Sequence, residues 1–362
     1  MSRRRYRFGF VLTTGAGNLT CYQNLRQLAE LDPDVECVWA TDPGSHDPGA
    51  GALRRRLATL RRAGPVLRQL GRLDAVIFHA FEPYVLAAAR SLVARRPLLV
   101  VNDDAGPTGD PRFWEGYGLV GRSALRARAR LALDTWCATR VALFFPYSRW
   151  VAARFVDECG VPTERVHPIH VGVDVEAWPF APRGEDAASE PPKILFVGGD
   201  FERKGGPLLV ELFARRFAGV AELHLVTRTR PRRPMPGVFA HLDFVPNDPR
   251  LRALYAGADL FVLPTFADMS AFAVIEAMAT GLPVVASDVG AMAELVRVGV
   301  TGYLVPRGDA QRLGDRIGEL LGDPALRRRM GAAGRALAEA EYNAAVNVPR
   351  MLQLIKAAVD AA

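Results

Sequence analysis

Two carboxylates, Asp268 and Glu276, stand eight positions apart on either side of a change in hydrophobic period. Leu260 to Leu263 is a short apolar run before Pro264-Thr265 and predicts a buried parallel strand. Ala271 to Ala279 is built of helix formers with an apolar face, and Gly281 and Pro283 stop it. Asp268 is therefore expected in the loop at the carboxyl end of a strand, and Glu276 about one turn into the next helix. In open α/β sheets this is where ligands sit, with the helix N-terminus aimed at anionic groups. A carboxylate there accepts hydrogen bonds from sugar hydroxyls, and two can hold different rings of one ligand. The plain alternatives are an exposed helix residue for Glu276 and a cap or turn for Asp268.

The elements that must position these acids alternate between strand and helix along the chain. Tyr6–Leu12, Val35–Ala40, Ala75–Phe78, Leu98–Val101, Val141–Phe145 and Val166–Val171 read as strands. Helices are expected over Leu19–Leu31, across the basic stretch from Leu53 to Arg72, from Pro83 to Val93, and through Val156. The Pro-, Glu- and Ala-rich stretch from Pro179 to Pro192 reads as a linker. The pattern restarts with strands at Ile194–Val197, Leu223–Val226 and Asp259–Leu263 and a helix at Pro207–Phe217. It closes with an Arg- and Ala-rich helical arm and a helix near Pro349–Val359, with Pro349 in its first turn. The expected fold class is α/β, with two Rossmann-like doubly wound domains facing each other across a cleft. The expected limits are 1–175 for the first domain, completed by a C-terminal helix over 349–362, then a linker at 176–192 and a second domain at 193–348.

With 362 residues, nearly half of them apolar, the chain can bury two cores, and no apolar run reaches the length of a membrane span. Arg3-Arg4-Arg5 before Phe8–Leu12 imitates a leader peptide, but the run is short and continues into a glycine turn, so a first strand is expected. Four cysteines without a close pair are read as buried free thiols of a reducing compartment, hence a cytoplasmic protein. The positive charge is uneven. Residues 1–170 hold 24 arginines against 16 acids, and the remainder is balanced. Arg54, Arg55, Arg56, Arg61, Arg62, Arg68 and Arg72 interleave with leucines, and Arg122, Arg126, Arg128 and Arg130 form a second cluster. Either these are solvated helix faces, or they serve an acidic acceptor or peripheral contact with the inner face of a membrane. No aromatic-basic interleaving accompanies them, so no nucleic-acid partner is expected.

Phe196-Val197-Gly198, Lys204-Gly205, Ala258-Asp259 through Thr265, Asp268, Glu276 through Val285, Val289-Gly290 with Glu294, Thr301-Gly302 and Pro306 occur in that order. This series resembles the donor-binding domain of retaining family-4-type glycosyltransferases with the GT-B fold. The first half resembles the same family more loosely, through Gly15 and Gly17, the run from Pro146 to Trp150, and Val171-Gly172-Val173-Asp174. The resemblance implies a retaining, hexosyltransferase-type enzyme of carbohydrate biosynthesis. It would move a sugar from a nucleotide-diphospho-sugar, UDP-linked by family frequency, to a hydroxyl acceptor that is a glycan, a lipid or a natural product. The alternative is a catalytically silent GT-B-like protein that binds nucleotide-sugars. A sugar-nucleotide epimerase of the same fold is a third reading.

The resemblance assigns the ribose hydroxyls to Glu276 and the donor sugar to Asp268, which replaces the commoner Glu. A departing diphosphate gathers negative charge, so fixed cations and backbone N–H groups around it stabilise the transition state. Arg203 and Lys204, after the strand 194–197 and Gly198, suit that role, as do the N–H groups of Ser270, Ala271 and Phe272. Relatives usually carry an Arg directly after Phe-Val-Gly. Here Gly199 stands there, which leaves Arg203 as the candidate for the missing charge. Gly15 and Gly17 would let backbone approach the same phosphates, unless they form only a tight turn. In the first half, His79 ends a strand, and Asn102-Asp103-Asp104 follows another where relatives carry a His-Asp pair. Of these, His79 and Asp104 are the catalytic candidates, against a structural histidine and a turn. No metal or other cofactor is expected: Asp32-Pro33-Asp34 reads as a surface turn, Asp103-Asp104 lacks a ligand cluster, and His167 and His170 lack metal spacing.

Overall fold

The computed structural model describes residues 5–12, 18–40, 61, 63–79, 86–89, 97–103, 124–180, 191–229 and 234–362. The chain forms two compact units. One comprises the described residues within 1–109, 121–171 and 344–362, the other those within 172–343.

Unit 1 is built on β1 (Tyr6–Val11), β2 (Val35–Trp39), β3 (Ala75–Phe78), β4 (Leu98–Asp103) and β5 (Leu143–Pro146), with α1 (Asn18–Glu30) and α2 (Ala124–Ala138) between them and α3 (Arg149–Cys159) after β5. Its sheet is parallel, in the order β2-β1-β3-β4-β5. Parallel strands are covered on both faces, which is why β3 and β5 read as unbroken apolar runs. Residues 63–68 are helical, with Ala63 and Val66 buried and Arg61, Arg68 and Arg72 exposed, so this part of the basic stretch turns its charge outward. Arg54, Arg55, Arg56, Arg62 and Arg122 lie outside the described residues, as does most of the helix expected over 83–93, of which 86–89 is seen to be helical.

Unit 2 contains β6 (Lys193–Val197), α4 (Gly206–Arg216), β7 (Glu222–Val226), β8 (Val238–His241), α5 (Pro249–Ala256), β9 (Leu260–Leu263), α6 (Phe272–Thr280), β10 (Val284–Ser287), α7 (Met292–Leu295), β11 (Gly302–Val305), α8 (Ala310–Gly322) and α9 (Pro324–Glu341). The six strands are parallel, in the order β11-β10-β9-β6-β7-β8. Numbered within the unit, this is 3-2-1-4-5-6, the dinucleotide-binding arrangement. All four side chains of β9 are fully buried, each contributing roughly 1.5–3 kcal/mol.

The last helix, α10 (Ala344–Ala361), packs on α1 in unit 1. Lys356 Nζ bonds both oxygens of Asp32 at 2.8 and 2.7 Å, and the Tyr6 hydroxyl donates to Asp360 at 2.7 Å.

Three expectations are corrected. Val166–Val171 is not a strand: it makes one isolated bridge, Val166 to Phe144, and although Ile169 N donates to the Pro146 carbonyl at 3.0 Å, Pro146 has no N–H to return a bond and extend the pairing. Pro349 lies inside α10, which starts five residues earlier than the first-turn reading requires. Cys37 is half-buried, whereas Cys21, Cys137 and Cys159 are buried, and all four are free thiols. Across the boundary expected between the first domain and the linker, Val175–Ala177 forms a short turn, and Trp178 just after it is buried.

Candidate functional site

In unit 2 the strand order reverses between β6 and β9, and in open α/β sheets the carboxyl ends of the strands at such a reversal are where ligands bind. The two loops at this point are the ones that carry Arg203, Lys204 and Asp268. They are clasped together. Phe266 N donates to the Arg203 carbonyl at 2.8 Å, and Arg203 Nη1 returns a bond to the Ala267 carbonyl at 2.6 Å. Gly205 permits the approach: its φ is +79°, and a Cβ there would fall 2.0 Å from the Pro264 carbonyl oxygen.

Asp268 is 7% exposed. Its Oδ1 accepts from Met269 N at 3.2 Å, and its Oδ2 is ion-paired with Lys204 Nζ. The turn role and the site role are thus shared between the two oxygens of one carboxylate. A third loop closes on this pair. Gly290 has φ +55°, and a Cβ would fall 2.1 Å from the Asp268 carbonyl oxygen, while Ala291 N donates to the Met269 carbonyl at 2.9 Å.

Arg203, the candidate for the charge missing at Gly199, is turned into the protein, with Nε on Asp200 at 3.0 Å and Nη1 on Ala267. Another cation covers Gly199. Arg228, in the loop after β7, is exposed, and its Nε and Cδ lie 3.6 and 3.8 Å from where a Gly199 Cβ would stand. No motif singles out Arg228, because a charge after β7 reaches β6 only through strand pairing. Gly198 is itself closely covered, its Cβ position lying 2.9 Å from Lys204 Cβ.

The start of α6 completes the site. Its N-cap, Ala271, makes no side-chain capping bond, and the positive end of the helix dipole points at the same loops. Ser270, Ala271 and Phe272 are buried here. Among the described residues Ser270 Oγ has no hydrogen-bond partner, and a buried hydroxyl left so costs about 1–3 kcal/mol until a ligand satisfies it.

One turn on, Glu276 is 4% exposed, not the surface residue of the alternative reading. Burial pushes its carboxyl up to about 7, against the opposing pull of a hydrogen bond from Tyr255 and the charge of Arg252. The Tyr255 hydroxyl donates to Oε2 at 2.8 Å. Neither α5 residue is legible as a site residue, since the contact spans 21 positions and arises only when α5 packs on α6.

In unit 1 the order reverses between β1 and β3. Gly15 and Gly17 follow β1 and Asp104 follows β4, but all three lie outside the described residues; of Asp103 only the strand backbone is described. His79, directly after β3, is buried, and its ring centroid lies 5.7 Å from that of Tyr147. The Tyr147 hydroxyl donates to Asn102 Oδ1 at 3.0 Å and lies 2.7 Å from Cys21 Sγ. Asn102 Nδ2 donates to the Phe145 carbonyl at 3.2 Å, so Asn102 serves a buried polar cluster. His170, tilted against Tyr147 with ring centroids 4.8 Å apart, is held neutral by burial, which lowers it to about 3. Among the described residues no three His, Cys, Asp or Glu side chains gather as a metal site, and no helix is long and apolar enough to cross a membrane.

Residues 17–177 match the family model described as Glycosyltransferase Family 4, and residues 191–323 that described as Glycosyl transferases group 1. The chain is 30% identical over 390 residues to an alpha-maltose-1-phosphate synthase of Mycolicibacterium smegmatis, covering 94% of this chain and 95% of that enzyme. It is 32% identical over 194 residues to an MMP alpha-(1->4)-mannosyltransferase of Mycolicibacterium hassiacum; that match covers 51% of this chain and 46% of that enzyme, about half its length. Among solved structures, a sucrose-phosphate synthase from Thermosynechococcus elongatus superposes with a TM-score of 0.76 at 21% identity, over 99% of this chain and 100% of that one. HepE from Anabaena, in complex with UDP-glucose, gives 0.70 at 17% identity over 99% of this chain and 100% of that one.

Proposed function

The chain belongs to the family-4-type glycosyltransferases with the GT-B fold, and we propose that it transfers a hexose from a UDP-linked donor to a hydroxyl acceptor with retention of anomeric configuration. The observation that carries this reading is the assembly at the unit 2 switch point. A cation, Lys204, is held by Asp268 beside an α6 N-terminus without a side-chain cap, with a buried carboxylate, Glu276, one turn further on. A diphosphate fits the cation and the N–H groups. The ribose fits Glu276, and the sugar ring fits Asp268. UDP is preferred because HepE, a neighbour in fold, binds UDP and UDP-glucose. Lys204, Arg228 and the α6 N–H groups take up the charge of the departing diphosphate, which itself receives the acceptor proton on the same face of the sugar. No metal is needed in this scheme, so turnover is expected to be indifferent to chelator.

The test of the nucleotide half is Glu276→Ala. Removing a charge-assisted pair of hydrogen bonds to ribose costs roughly 2–3 kcal/mol, about a thirtyfold to 150-fold loss of affinity. The loss should be equal for UDP and UDP-sugar in calorimetric titration. Unchanged affinity for both in a folded variant contradicts the assignment.

The Lys204–Asp268 pair favours one second reading, a protein that binds nucleotide-sugar without turning it over, because the cation is already neutralised. Acceptor-dependent release of UDP separates the two: a transferase shows it, and a silent binder does not.

The acceptor is a glycan, lipid or natural product, reached from the cytoplasmic side. A membrane-borne acceptor suits the basic first half, where Arg61, Arg68, Arg72 and Arg128 are exposed. Co-sedimentation with anionic vesicles that fades as salt is raised is the expected result. Equal recovery with neutral vesicles, or none with either, returns these arginines to an ordinary solvated face.

A further inference from the structure

We propose that Tyr255 is a positioning residue, which fixes the Glu276 carboxylate from behind so that its other oxygen faces the ribose. The proposal rests on the reading that Glu276 grips the ribose hydroxyls. Tyr255 is fully buried, and its hydroxyl lies 2.8 Å from Glu276 Oε2 and 3.2 Å from the Ala273 carbonyl. Among the described residues Oε2 is the carboxylate oxygen with a hydrogen-bond partner, which leaves Oε1 for a ligand. Burial and the neighbouring carboxylate raise the Tyr255 phenol well above its ordinary range, so it stays a donor.

The ring is clamped on two sides. Trp178 meets it edge-on at 5.2 Å and 88°, and Phe261 of β9 stacks at 5.8 Å and 18°. Trp178 is fixed in turn by α9. Arg335 Nη1 lies 3.0 Å from the Trp178 carbonyl, 3.1 Å from that of Val175 and 2.6 Å from that of Ala279. One guanidinium therefore holds both the wall behind Tyr255 and the last turn of the helix that carries Glu276. A side chain confined in this way presents its donor in one direction, which a freely rotating partner does not.

The charged groups around Glu276 are few. From α5 come Tyr255 and Arg252, whose guanidinium lies 5.6 Å from the Trp178 ring centroid and whose Nε is buried without a hydrogen-bond partner among the described residues. From α9 comes Arg335, already paired with Glu339 at 2.6 Å. The strands beneath present Leu260–Leu263 and Val284–Ala286, which are apolar, and then the buried Ser287. Glu276 is thus a carboxyl raised to about 7 by burial, with Tyr255 and Arg252 drawing it down. Hydroxyl donors need the ionised form, so nucleotide affinity should fall as pH drops through this value. Losing the phenol should raise the carboxyl further and move that limb to higher pH.

The experiment is calorimetric titration of UDP, with GDP and ADP in parallel, from pH 5.5 to 9 into wild type, Tyr255→Phe, Glu276→Gln and the double variant. The nucleotide's own phosphate titration is common to all four and cancels in the comparison. For Tyr255→Phe the acid limb is expected about one pH unit higher, with roughly fivefold weaker binding at pH 7 and near wild-type binding at pH 9. In the Glu276→Gln background the same change should do nothing more. Arg252→Gln, at a half-buried position, should move the limb the same way and keeps the test open if Tyr255→Phe folds poorly. A wild-type pH profile in both Tyr255→Phe and Arg252→Gln, beside a weakened Glu276→Gln, overturns the proposal and leaves the ribose reading intact. Wild-type affinity in Glu276→Gln overturns the ribose reading itself.

Discussion

Lys204→Ala is expected to lower kcat by roughly a hundredfold or more while changing donor affinity much less. The cation meets more negative charge as the bond to the diphosphate breaks, so its interaction strengthens in the transition state. Lys204 is paired with Asp268, so an arriving diphosphate competes with a carboxylate already in place. Binding the ground state therefore gains little from the lysine. The same pairing adds a second consequence: alanine at 204 leaves Asp268, 7% exposed, without its partner, and some loss of melting temperature should accompany the loss of turnover. Nucleotide release from UDP-sugar, with KM and kcat resolved separately, checks this. Equal activity would make Arg203-Lys204 an ordinary loop pair.

Asp268→Asn is expected to reduce transfer by about two orders of magnitude without weakening the bare nucleoside diphosphate. A sugar-reading acid must face the ring hydroxyls. The substitution keeps the size of the side chain and removes its charge, while the bare diphosphate has no ring for the acid to read. The structure adds a sign: a neutral amide at position 268 no longer offsets the charge of Lys204, so affinity for UDP should hold or rise. Asp268→Glu adds one methylene, about 1.5 Å of reach, and should alter which donor sugar is preferred. Transfer at the wild-type rate in Asp268→Asn would leave Asp268 with its Met269 turn alone.

These two predictions use residues that are visible in the sequence, and the reason is local. Asp268 and Lys204 sit in loops that directly follow buried strands, and a fully buried parallel strand such as Leu260–Leu263 announces itself as an apolar run. Its loop then lies at a carboxyl edge whatever the rest of the sheet does. Strands on the rim are harder to read. β8, Val238–His241, pairs on one side only, and its apolar run is just Val238 to Ala240, with Phe239 and Ala240 exposed, too short to announce a strand. The segment from Val166 shows the opposite error: it is apolar enough for a strand, but its partner β5 ends at Pro146, which has no N–H to return, and the pairing stops at a bridge.

The site's supports are the least legible part. Tyr255 and Arg252 belong to α5, Trp178 follows a short turn at the expected start of the linker, and Arg335 belongs to a helical arm that carries no motif. Each reaches Glu276 or its surroundings through packing between elements far apart in sequence, which no spacing rule encodes. Arg228 likewise reaches Gly199 because β7 lies beside β6. A missing side chain at one position is readable, but the residue that covers the gap is not.

The central claim is that unit 2 binds a nucleoside-diphosphate sugar at the β6/β9 switch point. The most direct measurement is a thermal-shift titration of the whole chain with UDP-, GDP-, dTDP- and ADP-sugars in the presence of chelator, run beside Glu276→Ala. A ligand that binds the folded state raises its melting temperature by mass action, by about 2.7 kcal/mol of stability at a hundred times Kd. The expected result is a saturable rise with one nucleobase, strongest for UDP, that Glu276→Ala largely abolishes. No rise with any of the four, or a rise that Glu276→Ala leaves untouched, would contradict it.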